Sequence, residues 1–213
     1  PLGLTANPIA DTSATLTWTA STGNYEYELN TKGVAPAGSG TAITTNTYNA
    51  STLAPSTQYY FYVRTVCAGP TYSSWSMVTF TTIATPPVND ACSNAINAAT
   101  LPYTNSQNAS AATNNGGFIG VCNLGMNDGV WYTVTGNGAD ITVAVTNVVG
   151  WDPEIGVYTG SCGTFTCVGS VDNGGGSGSE TYVITGSTVG ATYYINVGQF
   201  SGSTDNAEGP FQI

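Results

Sequence analysis

Carboxylates are the main side chains in this sequence that could do chemistry. Twelve Asp and Glu residues stand against two cations, Lys32 and Arg64, and there is no histidine. Histidine is the commonest general base and a common metal ligand, so its absence excludes a Ser-His-Asp triad and a histidine-based zinc site within the chain. Binding to phosphate groups needs clustered Lys and Arg, so nucleic acid is not an expected partner.

Coordination of a hard cation is the chemistry that these acids support best. Calcium takes six to eight oxygen ligands, and flexible loops can supply them from side chains and backbone carbonyls. The candidate calcium ligands are Asp90, Asp152, Glu154 and Asp172, with Asp205 and Glu208 as a secondary pair. The alternative is structural, with Asp90 capping a short helical turn and Asp172 forming an Asx-turn. Glycoside hydrolysis needs two acids across a cleft, and nothing in the spacing indicates one.

Exposed aromatic rings are a second candidate surface. The chain has thirteen Tyr and four Trp residues, many of them in expected strands. A flat row of exposed rings would suit stacking against sugars. The candidate glycan-binding residues are Tyr60, Tyr62, Tyr72, Trp75 and Trp151. The alternative is that Trp18 and Trp131 lie in cores and that the other rings cover the surface between strands.

Short β-strands are the elements that must position these groups. Runs rich in β-formers are separated by turns rich in Gly and Asn, a pattern typical of sandwiches and barrels. One short helical turn is predicted at 90–96. We predict an all-β fold of two tandem β-sandwiches. The predicted boundaries are 1–82 for the first domain, 83–88 for a Pro-containing linker and 89–213 for the second domain.

The first segment carries a motif in which residue types alternate. It is Leu53-x-Pro55-x-Thr57-x-Tyr59-x-Phe61-x-Val63-Arg64, and it follows Pro1-Leu2-Gly3-Leu4, Leu16-Thr17-Trp18 and Tyr25-Glu26-Tyr27-Glu28-Leu29. With these motifs, residues 1–82 resemble a fibronectin type III domain. The resemblance implies a core filled by Trp18 and a tyrosine corner that ties the Tyr59 hydroxyl to backbone near Leu53. Alternation along the strand places Tyr60, Tyr62 and Arg64 on the outer face.

The second segment carries five short motifs in a characteristic order. They lie at 89–95 (Asn-Asp-Ala-Cys-Ser-Asn-Ala), 128–132, 151–162, 191–198 and 208–213. In that order they resemble a β-sandwich repeat of secreted Bacteroidota proteins, related to the pre-peptidase C-terminal domain and similar in shape to CUB jelly rolls. In such jelly rolls, acidic residues at comparable places hold calcium between loops. The resemblance also implies a parent that is a large surface adhesin or a secreted hydrolase.

Five cysteines indicate disulfides and therefore an oxidising compartment. They are Cys67, Cys92, Cys122, Cys162 and Cys167. The most local pairing is Cys162–Cys167, and Cys92–Cys122 would then tie the opening motif to the sandwich. Cys67 is left over, so its partner lies outside this sequence or it stays a buried thiol. Buried free thiols throughout are the alternative.

The sequence predicts a non-catalytic extracellular module. No run of about 18 apolar residues occurs, so membrane insertion is not expected. We expect a structural or adhesive role in a larger secreted or cell-surface bacterial protein, including as a repeating unit of a surface filament. The expected partners are neighbouring modules, identical subunits and surface glycans. Because 211–213 has the character of the middle of a strand, we expect a segment of a longer protein, with open edges suited to strand pairing between subunits. The alternative is a carbohydrate-binding accessory region of a polysaccharide-degrading enzyme.

Overall fold

Two compact units make up the chain, Pro1–Thr85 and Pro86–Ile213. The structure is a computed structural model that describes residues 1–21, 23–67, 71–113, 122, 126, 129–173, 175–200 and 208–213. Both units are built from β-strands, which confirms the predicted fold class. The helical element in this part of the chain is a single 3-10 turn, Cys92–Asn94. No helix among the described residues has the length and apolar character needed to cross a membrane.

Unit 1 is a sandwich of a three-stranded and a four-stranded antiparallel sheet. The sheet orders are β1-β2-β5 and β4-β3-β6-β7. The strands are β1 (Thr5–Ile9), β2 (Ala14–Thr17), β3 (Asn24–Asn30), β4 (Thr41–Ile43), β5 (Thr47–Ala50), β6 (Gln58–Val66) and β7 (Ser76–Thr81). Short strands joined in this order give the two layers one shared apolar interior.

The core of unit 1 forms around Trp18, as the sequence predicts. The Trp18 ring is buried and meets Tyr25 edge to face, with the ring centroids 5.3 Å apart. Phe61 from β6 is fully buried against the same cluster. The tyrosine corner is confirmed, because the backbone N–H of Ala54 donates to the Tyr59 hydroxyl at 2.8 Å. This bond fixes the chain where it enters β6.

Nine strands lie in the described residues of unit 2. They are β8 (Ile96–Asn97), β9 (Ser106–Asn108), β10 (Val130–Thr135), β11 (Ile141–Val145), β12 (Pro153–Ser161), β13 (Thr164–Val171), β14 (Glu180–Ile184), β15 (Thr192–Gln199) and β16 (Pro210–Gln212). One sheet has the order β13-β12-β15-β10-β8. Strands β9 and β16 pair, as do β11 and β14, and two backbone hydrogen bonds of 2.8 Å between Thr146 and Gln212 join these pairs.

The strand order of unit 2 is that of a jelly roll. From β9 to β16, the chain crosses repeatedly between the five-stranded sheet and the layer β9-β16-β11-β14. Eight strands distributed in this way form the two interleaved Greek keys of a jelly roll. Strand β8 is added at the edge, parallel to β10. Apolar residues from both layers, including Tyr132, Val143 and Val197, form one buried core.

Candidate functional site

An acidic edge lies on unit 2 where three strands begin or end. Asp152 immediately precedes β12 and Asp172 immediately follows β13. Because Ile155 pairs with Val171, these two strand ends lie side by side. Glu180 is the first residue of β14, which contacts both β12 and β13. We call Asp152, Asp172 and Glu180 the acidic edge.

Burial and neighbouring charge both act on Asp152. Burial, followed by the negative charges of Asp172 and Glu180, raises the pKa of the Asp152 carboxyl. The Glu180 side chain is only 1% exposed and accepts a hydrogen bond from the backbone N–H of Asn173 at 3.1 Å. Unit 2 contains no Lys or Arg, since both cations of the chain precede residue 86. Carboxylates held close together in this way would be stabilised by a bound cation.

The acidic edge contains part of the predicted calcium set. Asp152 and Asp172 interact electrostatically, and Glu154, the second residue of β12, is only 1% exposed. Of the secondary pair, Glu208 is buried and Asp205 lies outside the described residues. Among the residues that the structure describes, no group of three or more Asp, Glu, His or Cys side chains is placed to hold a metal ion. Glu180 is absent from the predicted set. Its place at the start of a strand, directly after a Gly-rich turn, is the sequence signal that could have identified it.

The fourth predicted ligand, Asp90, holds a neighbouring segment. Its Oδ1 and Oδ2 accept hydrogen bonds from the backbone N–H and the hydroxyl of Thr113, each at 2.6 Å. The preceding residue, Asn89, is fully buried, and its side-chain nitrogen donates to the carbonyl of Trp131 at 2.9 Å. Gln107 donates to the Asn89 side-chain oxygen at 2.5 Å. These bonds give the Asn-Asp pair at the opening of unit 2 a structural role that sequence reasoning missed for Asn89.

Two of the aromatic candidates of unit 1, Tyr72 and Trp75, lie against a cation. The Arg64 guanidinium lies 3.8 Å from the ring centroid of Tyr72 and 4.4 Å from that of Trp75. The same group donates to Glu26 Oε2 from Nε at 3.0 Å and from a terminal nitrogen at 2.7 Å. Tyr72 is 43% exposed, while Trp75 and Tyr60 are half-buried. Arg64 therefore lies against both rings, and Tyr72 is the most accessible of the candidates in unit 1.

Two of the predicted glycan-binding residues are wrong, because both are buried. Tyr62 is 3% exposed, although alternation along β6 places it on the outer face of the sheet. Trp151 is also 3% exposed, and its indole N–H donates to the carbonyl of Pro210 at 3.2 Å. The Trp151 ring packs edge to face against Phe211 in the core of unit 2. A sugar at the surface cannot stack on either ring.

The predicted disulfide pairing is also wrong, although the four bonded cysteines are the predicted ones. The bonds are Cys92–Cys162 and Cys122–Cys167. The strand register excludes the local pairing: Cys162 lies in the turn after β12, whereas Cys167 lies opposite Tyr158. Four residues of strand, or about 13 Å, separate Cys162 from Tyr158, the residue opposite Cys167. The Cα atoms of two bonded cysteines must lie within roughly 7 Å of each other.

The disulfides border a small aromatic cluster on the outer side of the five-stranded sheet. Cys92 packs with Trp131 and Tyr158, both fully buried, and Phe165 stacks on Trp131 with the centroids 5.1 Å apart. Cys67 in unit 1 is free and exposed, so the alternative of a buried thiol is wrong, and a partner outside this sequence stays a prediction. Of the two disulfides, the one that links the opening motif to the β12–β13 hairpin spans the greater sequence separation, 70 against 45.

Comparison with known families identifies the first unit. The family model described as the fibronectin type III domain matches residues 1–82. Residues 1–82 are a fibronectin type III domain. The topology of unit 1 and its tyrosine corner agree with that assignment. No curated protein sequence matches the chain.

Similar solved structures include proteins of several kinds. A redesigned β-sandwich protein is 21% identical, with 41% of this chain and 92% of that chain covered and a TM-score of 0.35. A segment of two fibronectin type III domains from chicken tenascin is 12% identical, with coverage of 100% and 97% and a TM-score of 0.32. A Bacillus thuringiensis chitinase is 14% identical, with coverage of 97% of this chain and 27% of the chitinase, and a TM-score of 0.32.

Proposed function

We propose that the chain is a non-catalytic structural or adhesive module of a larger secreted or cell-surface bacterial protein. Fibronectin type III domains are commonly non-catalytic modules, and disulfides are typical of oxidising, extracellular environments. The jelly-roll strand order of unit 2 supports a relationship to the β-sandwich repeat of secreted Bacteroidota proteins. Its partners in this role are neighbouring modules of the same chain or identical subunits of a filament.

The main structural support for this proposal is the Cys92–Cys162 bond. Cys92 lies six residues after the start of unit 2 at Pro86, and Cys162 lies at the tip of the β12–β13 hairpin. Tension that enters unit 2 along the chain would pass through this bond directly into the five-stranded sheet. The 69 residues between the two cysteines, 93–161, would then be bypassed and could not extend. A covalent shortcut of this kind suits a module that holds its shape under load.

Single-molecule pulling from enzymatic tags at both chain ends tests the proposal. A fully extended chain spans about 3.4 Å per residue, so complete unfolding of unit 1 releases roughly 29 nm. Unit 2 should release roughly 44 nm when reduced and about 20 nm when oxidised, because the bond hides about 24 nm of chain. The matched control is Cys67→Ser, which removes the free thiol and leaves both bonds in place.

Two results would count against the mechanical role. One is an oxidised unit 2 that releases its full length. The other is an oxidised unit 2 that yields at the same force as the reduced one. Measurable turnover by the isolated chain in a hydrolase screen would contradict the non-catalytic assignment.

A carbohydrate-binding accessory role is the second candidate function. It is supported by the exposed Tyr72 ring and the half-buried Trp75 ring beside Arg64. A glycan array probed with the chain and with Trp75→Ala tests it. Tyr103→Phe, which alters an aromatic side chain of unit 2 and keeps its ring, is the control for an aromatic substitution outside this surface. Binding that Trp75→Ala abolishes and Tyr103→Phe retains would establish the role, and no binding to any glycan would remove it.

A further inference from the structure

Two tyrosines of unit 1 pack against each other between its two sheets. Tyr27 lies in β3, an inner strand of the four-stranded sheet, and Tyr48 lies in β5, at the edge of the three-stranded sheet. Their ring centroids are 4.2 Å apart, and the ring planes are inclined by 35°. The next closest ring pairs among the described residues are 5.1 Å apart. We call Tyr27 and Tyr48 the tyrosine pair.

The hydroxyl ends of the two rings lie together. Burial, followed by a hydrogen bond between the Tyr27 and Tyr48 hydroxyls, raises the pKa of Tyr48 to about 12. The Tyr48 phenol therefore keeps its proton at neutral pH. In each ring, the ortho carbons are bonded to the carbon that carries the hydroxyl. The hydrogen bond and the ring contact therefore bring ortho carbons of the two rings beside each other, and these are the atoms at which oxidised phenols form carbon–carbon bonds.

The core of unit 1 holds the tyrosine pair in position while leaving it within reach of solvent. Phe61 is fully buried, and its ring centroid lies 5.8 Å from that of Tyr27 and 5.7 Å from that of Tyr48. Both tyrosines are half-buried, so a small dissolved oxidant can reach them. Two reacting groups that are already held in contact need no diffusive encounter, which strongly favours their reaction over coupling between separate molecules.

We propose that the tyrosine pair is a site of oxidative cross-linking, at which a carbon–carbon bond between the two rings joins the two sheets of unit 1. Two molecules of a one-electron oxidant each accept one electron, one from each phenol, and each phenol releases its hydroxyl proton to solvent. The two phenoxyl radicals then form a bond between their ortho carbons. The hydrogen on each of these carbons moves as a proton to the adjacent oxygen, which restores both phenols as dityrosine.

Such a bond would supply a covalent constraint that unit 1 lacks. Its one cysteine, Cys67, is free, so no disulfide joins two parts of this unit. A Tyr27–Tyr48 bond would link β3 to β5 and close a loop around residues 28–47. The disulfides of unit 2 are typical of an oxidising compartment, which is the environment that the reaction needs. The proposal concerns unit 1 alone and does not depend on the mechanical role described above.

Photo-oxidation of the 213-residue chain tests the proposal. Tris(bipyridine)ruthenium with persulfate and light supplies a diffusible one-electron oxidant, and a Cys67→Ser background prevents the exposed thiol from consuming it. We expect a monomeric product that has lost two hydrogen atoms. Trypsin cuts only after Lys32 and Arg64, so it should release peptides 1–32 and 33–64 joined to each other. Fragmentation in the mass spectrometer should place the bond between Tyr27 and Tyr48.

Conservative variants assign the bond to the tyrosine pair. Tyr27→Phe and Tyr48→Phe each keep the ring and remove the hydroxyl, and each should lose the joined peptide. Tyr60→Phe is the matched control, because Tyr60 is half-buried and lies in the same tryptic peptide as Tyr48, and it should retain the product. Oxidation of the chain unfolded in urea needs no further substitution. It should also lose the joined peptide, because only the fold brings the two rings together.

Pulling the oxidised chain from both ends gives an independent measurement. Cross-linked unit 1 should release roughly 7 nm less chain than untreated unit 1, because residues 28–47 stay bypassed. The proposal is overturned if the folded chain gives no joined peptide, if that peptide survives Tyr48→Phe, or if the unfolded chain gives it in equal yield. It is also overturned if the only products are dimers linked through exposed tyrosines such as Tyr72.

Discussion

Removing the Cys92–Cys162 bond should destabilise unit 2 by about 4 kcal/mol. A disulfide stabilises mainly by restricting the unfolded chain, and a closed loop of 70 residues corresponds to roughly 4.4 kcal/mol. The second bond overlaps the first. With Cys122–Cys167 intact, the loop that Cys92–Cys162 closes consists of residues 92–122 and 162–167, joined by the second bond. This loop has about 35 residues, which correspond to roughly 3.8 kcal/mol. The double variant Cys92→Ser, Cys162→Ser removes this contribution without leaving either partner of the bond as an unpaired thiol.

Native-state hydrogen exchange is the appropriate assay because it resolves the two units. The slowest amides of β10 and β15 report global opening of unit 2, and those of β3 and β6 report unit 1. The double variant should lower the opening free energy in unit 2 only. Cys67→Ser, which alters an exposed free thiol outside both bonds, should change neither unit by more than about 0.5 kcal/mol. A loss below about 1 kcal/mol in unit 2, or an equal loss in unit 1, would refute the reasoning.

Three further predictions concern single side chains. Tyr59→Phe removes the hydroxyl that accepts from Ala54 and should cost unit 1 about 1 kcal/mol in urea unfolding; an unchanged midpoint would show that the corner contributes nothing. The pKa of Asp152 is raised in the folded state, so its contribution to stability is present at low pH and is lost as pH rises through the folded-state pKa. Asp152→Asn should therefore raise the melting temperature at pH 7 without calcium. It should also flatten the pH dependence of the melting temperature. If the acidic edge binds calcium, the same variant should also lose any calcium-induced rise in melting temperature. The pKa of Glu26 is lowered, chiefly by its hydrogen bond with Arg64, so this carboxylate stabilises unit 1 at pH values above its unfolded-state pKa and loses that effect as pH falls. Glu26→Gln should remove this loss of stability at acid pH in thermal melts. An unaltered dependence of the melting temperature on pH would contradict the prediction.

The fold of unit 1 can be predicted from sequence because its signals come from residues that lie close together in the chain. The alternation around Phe61 defines which residues of β6 face the core, and the Tyr59 corner lies within six residues of its partner Ala54. The jelly-roll order of unit 2 is less local. Its prediction depends on the order of five motifs, since no single one specifies which strands pair.

The errors in the glycan-binding and disulfide predictions concern contacts between distant parts of the chain. Alternation indicates on which side of a sheet Tyr62 lies, but it does not indicate whether that side is covered, and Tyr62 is buried. Trp151 precedes a strand and has no periodic neighbours to indicate that it packs against Phe211. The cysteine pairing depends on the β12–β13 register, which places Cys167 opposite Tyr158. Proximity in sequence therefore favoured a bond that the hairpin geometry forbids.

Mass-spectrometric mapping of the disulfides in the unreduced chain is the direct test of the Cys92–Cys162 bond and of the mechanical role proposed for it. Trypsin cannot cut within unit 2, which lacks Lys and Arg, so pepsin or chymotrypsin is needed. We expect linked peptides that join Cys92 to Cys162 and Cys122 to Cys167, with Cys67 recovered as a free thiol. Recovery of Cys162 linked to Cys167 would contradict the strand register, the covalent shortcut into the five-stranded sheet and the mechanical role that depends on it.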